Sequence, residues 1–126
     1  MSSTDQSIEQ QIQAKGLTAP RVTPADIEAN ITSEFYFTAS DGVLGAECIR
    51  KLRNEPVETE HVPPSLGLLT FCVLVLKNGF TVTGESACAS PKNFDPEIGC
   101  KIARANAVQK IWPLMGYELK SRLSSN

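Results

Sequence analysis

The chain has 126 residues, 41% of them hydrophobic, and a formal net charge of −2. That length suits one domain able to bury a core without metal or disulfide staples. The acidic balance argues against non-specific nucleic-acid binding, and no apolar run approaches the ~20 residues that cross a bilayer, so no membrane role is expected.

Residues 1–15 are polar and Gln-rich, with Ile8 and Ile12 alone on one helical face. They predict a marginal helix or flexible arm ending near Gly16. Thr23-Pro24-Ala25-Asp26 is better specified. Thr23 suits a helix cap, Pro24 the first helical position, and Asp26 the positive end of the helix dipole. With Ile27 and Ile31 at i, i+4, this predicts a short helix from Pro24 to about Thr32. Residues 1–32 thus read as an N-terminal arm with a short helix, and 33–126 as a single α+β domain.

Glu34 to Ala39 has strand composition, closed by Ser40-Asp41-Gly42. Val43 to Arg53 is ambiguous: Leu44, Cys48, Ile49 and Leu52 make a helical stripe, but Gly42 and Gly45 oppose a helix. Asn54 to Ser65, with Pro56, Pro63 and Pro64, reads as a loop.

The centre of the chain is LLTFCVLVLKNGFTVTGESAC, from Leu68 to Cys88. Asn78-Gly79 between two strand-like runs predicts a hairpin of about 68–76 and 80–87 with a type I′ turn. The first run is apolar on both faces, which predicts a central strand covered on both sides. In the second, Phe80 and Val82 alternate with Thr81, Thr83 and Glu85. Asp95-Pro96-Glu97 then opens a helix over about 96–112, with Ile98, Ile102, Ala105, Val108 and Trp112 on one face and Ala103 and Ala107 close by. Pro113 and Gly116 are expected to end it, with a second helix at about 117–123. The fold class is α+β: a small antiparallel sheet built on the hairpin and packed by C-terminal helices.

The four cysteines contain no C-x-x-C pair, and His61 is the only histidine, which argues against a zinc site. With no signal-peptide layout at the N-terminus, reduced thiols in a cytosol are expected. No nucleophile–base pair and no Walker-type phosphate loop is present. The expectation is a binding protein: no enzyme, no metal, no cofactor.

The run LKNGFTVTGESACASPKNFDPEIGCKIARANAVQKIWPLMGY resembles a family of small phage proteins, accessory products of tailed phages and prophages of the gene-product-forty-nine type. The segment APRVTPADIEANI resembles the N-terminal part of that family. The strand layout with its ESAC…NFD signature is also similar to the Thoeris anti-defence sponge proteins. Those are non-enzymatic phage oligomers that sequester the cyclised ADP-ribose signal made by bacterial TIR-domain enzymes. This resemblance implies a homo-oligomer in the host bacterial cytoplasm that captures a nucleotide signalling molecule. The alternative is a phage protein that binds and modulates a host or phage protein.

A nucleotide binder needs cationic or N–H donors for phosphate, a flat apolar surface for the base, and polar groups for ribose. Each candidate here reads two ways. Asp95 is a helix cap or a ribose ligand; Asn93 is a turn residue or its neighbour in that role. Phe80 and Phe94 are core residues or stacking surfaces. Thr83 faces water or lines a pocket. Lys101 and Arg104, with Lys110, form a solvated helix face or project over a neighbouring subunit. Arg21 is an ordinary exposed arginine or delivers its guanidinium to a phosphate.

Overall fold

The hairpin expected at Asn78-Gly79 is the spine of the fold in a computed structural model, which describes residues 3–57 and 61–125. Strands β2 (Leu69–Leu76) and β3 (Thr81–Ala87) run antiparallel, with Val75 opposite Thr81 and Leu69 opposite Ala87. The turn is not type I′. Positive φ falls on Gly79 (+88°) and not on Asn78. The Gly79 N–H donates to the Leu76 carbonyl at 2.9 Å, and the Leu76 N–H to the Phe80 carbonyl at 2.8 Å. This is a three-residue loop, a type I turn closed by a left-handed glycine. Asn78 keeps an ordinary negative backbone φ, and its side-chain Oδ1 accepts from the Phe80 N–H at 2.9 Å.

Strand β1 (Ile31–Thr38) pairs antiparallel with the free side of β2, giving the order β1-β2-β3 with an irregularity between Ile31 and Ser33. The helices are α1 (Ser3–Ala14), α2 (Pro24–Ala29), α3 (Ala39–Leu52) and α4 (Pro96–Ser124). The ambiguous stretch after β1 is therefore helical. Thr38 caps it, accepting from the Asp41 N–H at 3.1 Å, and this outweighs the two glycines. The expected loop 54–65 contains residues 58–60, which lie outside the described residues, and it ends in a 3-10 turn, Pro64–Leu68.

The two expected C-terminal helices are one. Pro113 lies inside α4. A proline removes one backbone donor, so the Gln109 carbonyl loses its helical partner. Gln109 and Pro113 are both exposed, and a helix tolerates a missing bond more readily on its solvent side.

The core lies between one sheet face and α4. Thr70, Cys72, Leu74 and Leu76 alternate inward from β2, Val82 and Gly84 from β3. Against them α4 sets Gly99, Ala103, Ala107, Val108 and Ile111. The buried stripe is thus displaced from the expected one: Ile98 is 55% and Ile102 47% exposed. Contact with the strands uses the smallest residues of the helix, because a Cβ on Gly84 would already lie 2.2 Å from the Ala103 carbonyl oxygen. From the N-terminal side, α2 buries Pro24 and Ile27, so this helix joins the body of the fold.

Thr23 and Asp26 form a reciprocal capping box on α2: the Asp26 N–H donates to Thr23 Oγ1 at 3.1 Å and the Thr23 N–H to Asp26 Oδ2 at 2.9 Å. Thr23→Ala removes one half of it and is expected to lower stability by about 1 kcal/mol, read as a shift in urea midpoint.

The second sheet face departs from expectation. Phe35, Phe37, Phe71, Val73 and Val75 line it. Phe35 remains 57% and Phe37 39% exposed, and Phe71, Val73 and Val75 are half-buried. The central strand is therefore covered on one side only within a single chain.

Candidate functional site

The residues singled out by sequence fall at separate places. Asn93 is exposed in a 3-10 turn, Pro91–Asn93, and Phe94 is half-buried behind it. Asp95 caps α4, accepting from the Glu97 and Ile98 N–H groups at 2.9 and 3.2 Å. Those donors are thus occupied by a carboxylate. Lys101 forms an exposed i, i+4 pair with Glu97 at 3.2 Å. Thr83 is half-buried on the uncovered sheet face, opposite Val73. Phe80 is 57% exposed beside the hairpin turn. β3 separates Phe80 from the Asn93–Asp95 corner by its seven residues, about 23 Å of extended chain. One chain does not gather these groups into one cleft.

Arg104 is held inside the fold. Its guanidinium binds Glu28 of α2 through both outer nitrogens, at 2.8 and 3.1 Å, and Glu34 of β1 through Nε at 2.9 Å. The Tyr36 hydroxyl donates to the same Glu34 oxygen at 2.5 Å. Hydrogen bonding to Arg104 holds the Glu28 carboxyl below its ordinary range. For Glu34 the Tyr36 hydroxyl is the stronger cause and Arg104 follows. Burial, then the Glu34 carboxylate, pushes the Tyr36 phenol up. Desolvation likewise raises the Cys72 thiol, which favours its neutral form. This cluster ties α4, α2 and β1 together.

Arg21 marks the most site-like region. It lies between α1 and α2 and pairs with Glu9 through two parallel bonds of 2.5 and 2.6 Å. Gln13 also donates to Glu9 at 2.8 Å. The guanidinium beside it pulls the Glu9 carboxyl down to about 2. Around this pair opens a cleft of about 240 Å³ lined by Asp5, Ile8, Ile12, Val22, Gln109 and Trp112. A second cleft of about 390 Å³, lined by Gln6, Gln10, Gln13 and Thr23, adjoins it across Arg21 and Glu9. Together they reach the size range of small-molecule sites. They offer a planar cation, a half-buried indole, and amide and carboxylate groups.

Sequence reasoning found Arg21 but missed Glu9, Gln109 and the placing of Trp112 over the cleft. Glu9 sits one residue from Ile8 in the weak α1 stripe, so a docked arm was its only signal. Glu34 and Tyr36 were findable, since period two puts them on one strand face.

Among the described residues, no group of three or more His, Cys, Asp or Glu side chains is arranged to hold a metal ion. No helix among them is long and apolar enough to cross a membrane. A family model described as phage protein (N4 Gp49/phage Sf6 gene 66) family matches residues 22–123. No curated protein and no solved structure matches the chain.

Proposed function

Because the chain belongs to the N4 Gp49/phage Sf6 gene 66 family of phage proteins, we propose that it is a phage accessory protein acting as an oligomeric, non-enzymatic trap for a nucleotide signal of the cyclised ADP-ribose class. In the host bacterial cytoplasm, such capture withholds the signal from the defence it activates. The observation that carries this reading is the Arg21 cleft. Arg21 suits bidentate pairing with a phosphate, Trp112 offers an indole edge or face to a base, and Gln109 and Asp5 suit ribose hydroxyls.

Glu9 occupies the guanidinium in the free protein, so an incoming phosphate takes the place of a carboxylate. Since the Glu9 carboxyl lies at about 2, it is ionised at neutral pH and competes fully there. Arg21→Gln is expected to weaken capture about tenfold, and Glu9→Gln to strengthen it, because the competitor loses its charge. Calorimetry with cyclised ADP-ribose species reads both signs. Mass spectrometry of ligand released by heat denaturation should return it intact. Absence of binding heat from folded protein overturns the reading, and a cleaved product overturns the non-enzymatic part of it.

A further inference from the structure

Helix α1 is loosely anchored. None of its described side chains is buried, and its chief neighbour is α2. A polar 12-residue helix is marginal alone in water. Its half-buried positions are Asp5, Glu9 and Ile12, at i, i+4 and i+7 on one face. That face turns two carboxylates, one helical turn apart, toward the Arg21 cleft, and Ile8 and Ile12 complete the wall. Glu9 is the latch, since both outer nitrogens of Arg21 donate to it.

The exit from α1 is a sharp turn. The Gly16 N–H donates to the Gln13 carbonyl at 3.0 Å and the Leu17 N–H to the Ile12 carbonyl at 3.3 Å. This helix end uses the left-handed backbone that Gly16 adopts, at φ +66°. Residues 17–20 are exposed and lead to Arg21, Val22 and Pro24, on the opposite side of the cleft.

We propose that α1 is a hinged strap: it fills the cation site with its own carboxylates, and it swings out on residues 17–20 when an anionic ligand takes the Arg21 guanidinium. Two arguments favour a strap over a fixed wall. Rotating the Glu9 side chain alone does not clear the site, because Asp5 stays on the same face and its charge opposes a phosphate. Moving the helix removes both. The docked contacts are also open to solvent: Glu9 and Arg21 are 16% and 26% exposed, and Ile8 52%. Elements with few buried contacts open before the rest of a fold does. Docked strap and bound ligand then exclude each other, so whatever loosens α1 tightens capture. The ligand-driven half of this device rests on the trapping role proposed above; the ligand-free half does not.

Trp112 is the one tryptophan of the chain and lines the cleft beside α1, so its emission moves to the red when α1 leaves and water enters. Gly16→Val tests the hinge. Nothing lies within 4 Å of the Cβ it adds, and a β-branched residue resists positive φ, so the docking angle alone suffers. Without ligand, this variant should shift Trp112 emission to the red and speed amide hydrogen exchange in α1 about tenfold, leaving β2 unchanged. Ile12→Ser should act alike from the docked face. With cyclised ADP-ribose as probe, both variants should bind about fivefold tighter than the unaltered chain, the reverse of what losing a wall residue does. On the unaltered chain, the bound probe should speed exchange in α1. Protection of α1 by the probe, or weaker binding by both variants, overturns the strap. Unchanged emission and exchange in Gly16→Val overturn it without any ligand. If Gly16→Val opens α1 and no form binds the probe, the hinge stands and the trapping role falls.

Discussion

Gly84→Ala is expected to destabilise the protein by about 3 kcal/mol or more, a large part of the 5–15 kcal/mol that holds a typical domain. The sign runs against propensity, since removing a glycine from a strand ordinarily helps by 0.5–1 kcal/mol, roughly. Geometry decides the outcome. The new methyl would lie 2.2 Å from the Ala103 carbonyl oxygen, 2.3 Å from the Ala107 nitrogen and 2.9 Å from its Cα. All three are helix backbone, so no side chain can rotate away. The whole of α4 would have to lift from β3, which opens the contacts of Val82, Val108 and Ile111. Urea unfolding followed by circular dichroism measures the loss. Gly116→Ala, with open space at its Cβ, is the matched control and should gain a few tenths to ~1 kcal/mol. Equal stability of Gly84→Ala and the unaltered protein would refute the close seam.

Arg104→Met is expected to cost about 2 kcal/mol at neutral pH. The methionine keeps the aliphatic stem, so the loss reports the guanidinium. Breaking a buried ion pair costs 3–5 kcal/mol, roughly, but the Glu34 side chain is 41% exposed, and solvent reduces the figure. Removal leaves Glu28 and Glu34 without the cation that binds both. The pH dependence follows from the direction of their shifts. Both carboxyls are lowered in the folded state, so their contribution is fully present above the unfolded value of about 4.3 and is lost as pH falls through the lowered folded values. The unaltered protein should therefore lose stability more steeply than Arg104→Met between pH 5 and 3, roughly, and the gap between them should close. Urea midpoints at neutral and acid pH test this; a gap independent of pH would show that the cost is packing alone.

The parts of this fold that were legible in the sequence are those written in neighbouring residues. Asn78-Gly79, the Thr23 cap and the Asp95-Pro96 helix start each act over a few positions, and each stands where it was read. The turn type was missed because the Asn78 side chain binds the Phe80 N–H, a choice the dipeptide alone does not reveal. The face of α4 was misread for a different reason. Large apolar residues at helical spacing usually mark the buried side, but here the strands approach so closely that Gly99, Ala103 and Ala107 fill the seam, with Val108 and Ile111 buried beyond them, and Ile98 and Ile102 are turned outward.

The site was less legible because its partners are distant. Arg21 meets Glu9 twelve positions away, and Arg104 meets Glu34 and Glu28 at separations of 70 and 76. A basic residue read locally looks like a free cation. Its actual role depends on which carboxylate the topology delivers. Trp112 illustrates the converse: its bulk marked an anchor, and the chain placed that anchor beside a largely apolar cleft that holds the Arg21–Glu9 pair.

The order β1-β2-β3 also has a temporal side. β1 precedes the strand it pairs with by the 30 residues from 39 to 68. At ~5–20 residues per second on the ribosome, Phe35, Tyr36 and Phe37 emerge several seconds before β2 is made. The hairpin and α4 are contiguous in the chain and assemble with little loop-closure cost, whereas β1 must wait and then dock onto them. The nascent chain thus carries an unpaired aromatic strand through much of its synthesis, and a second nascent copy nearby offers that strand a competing mate.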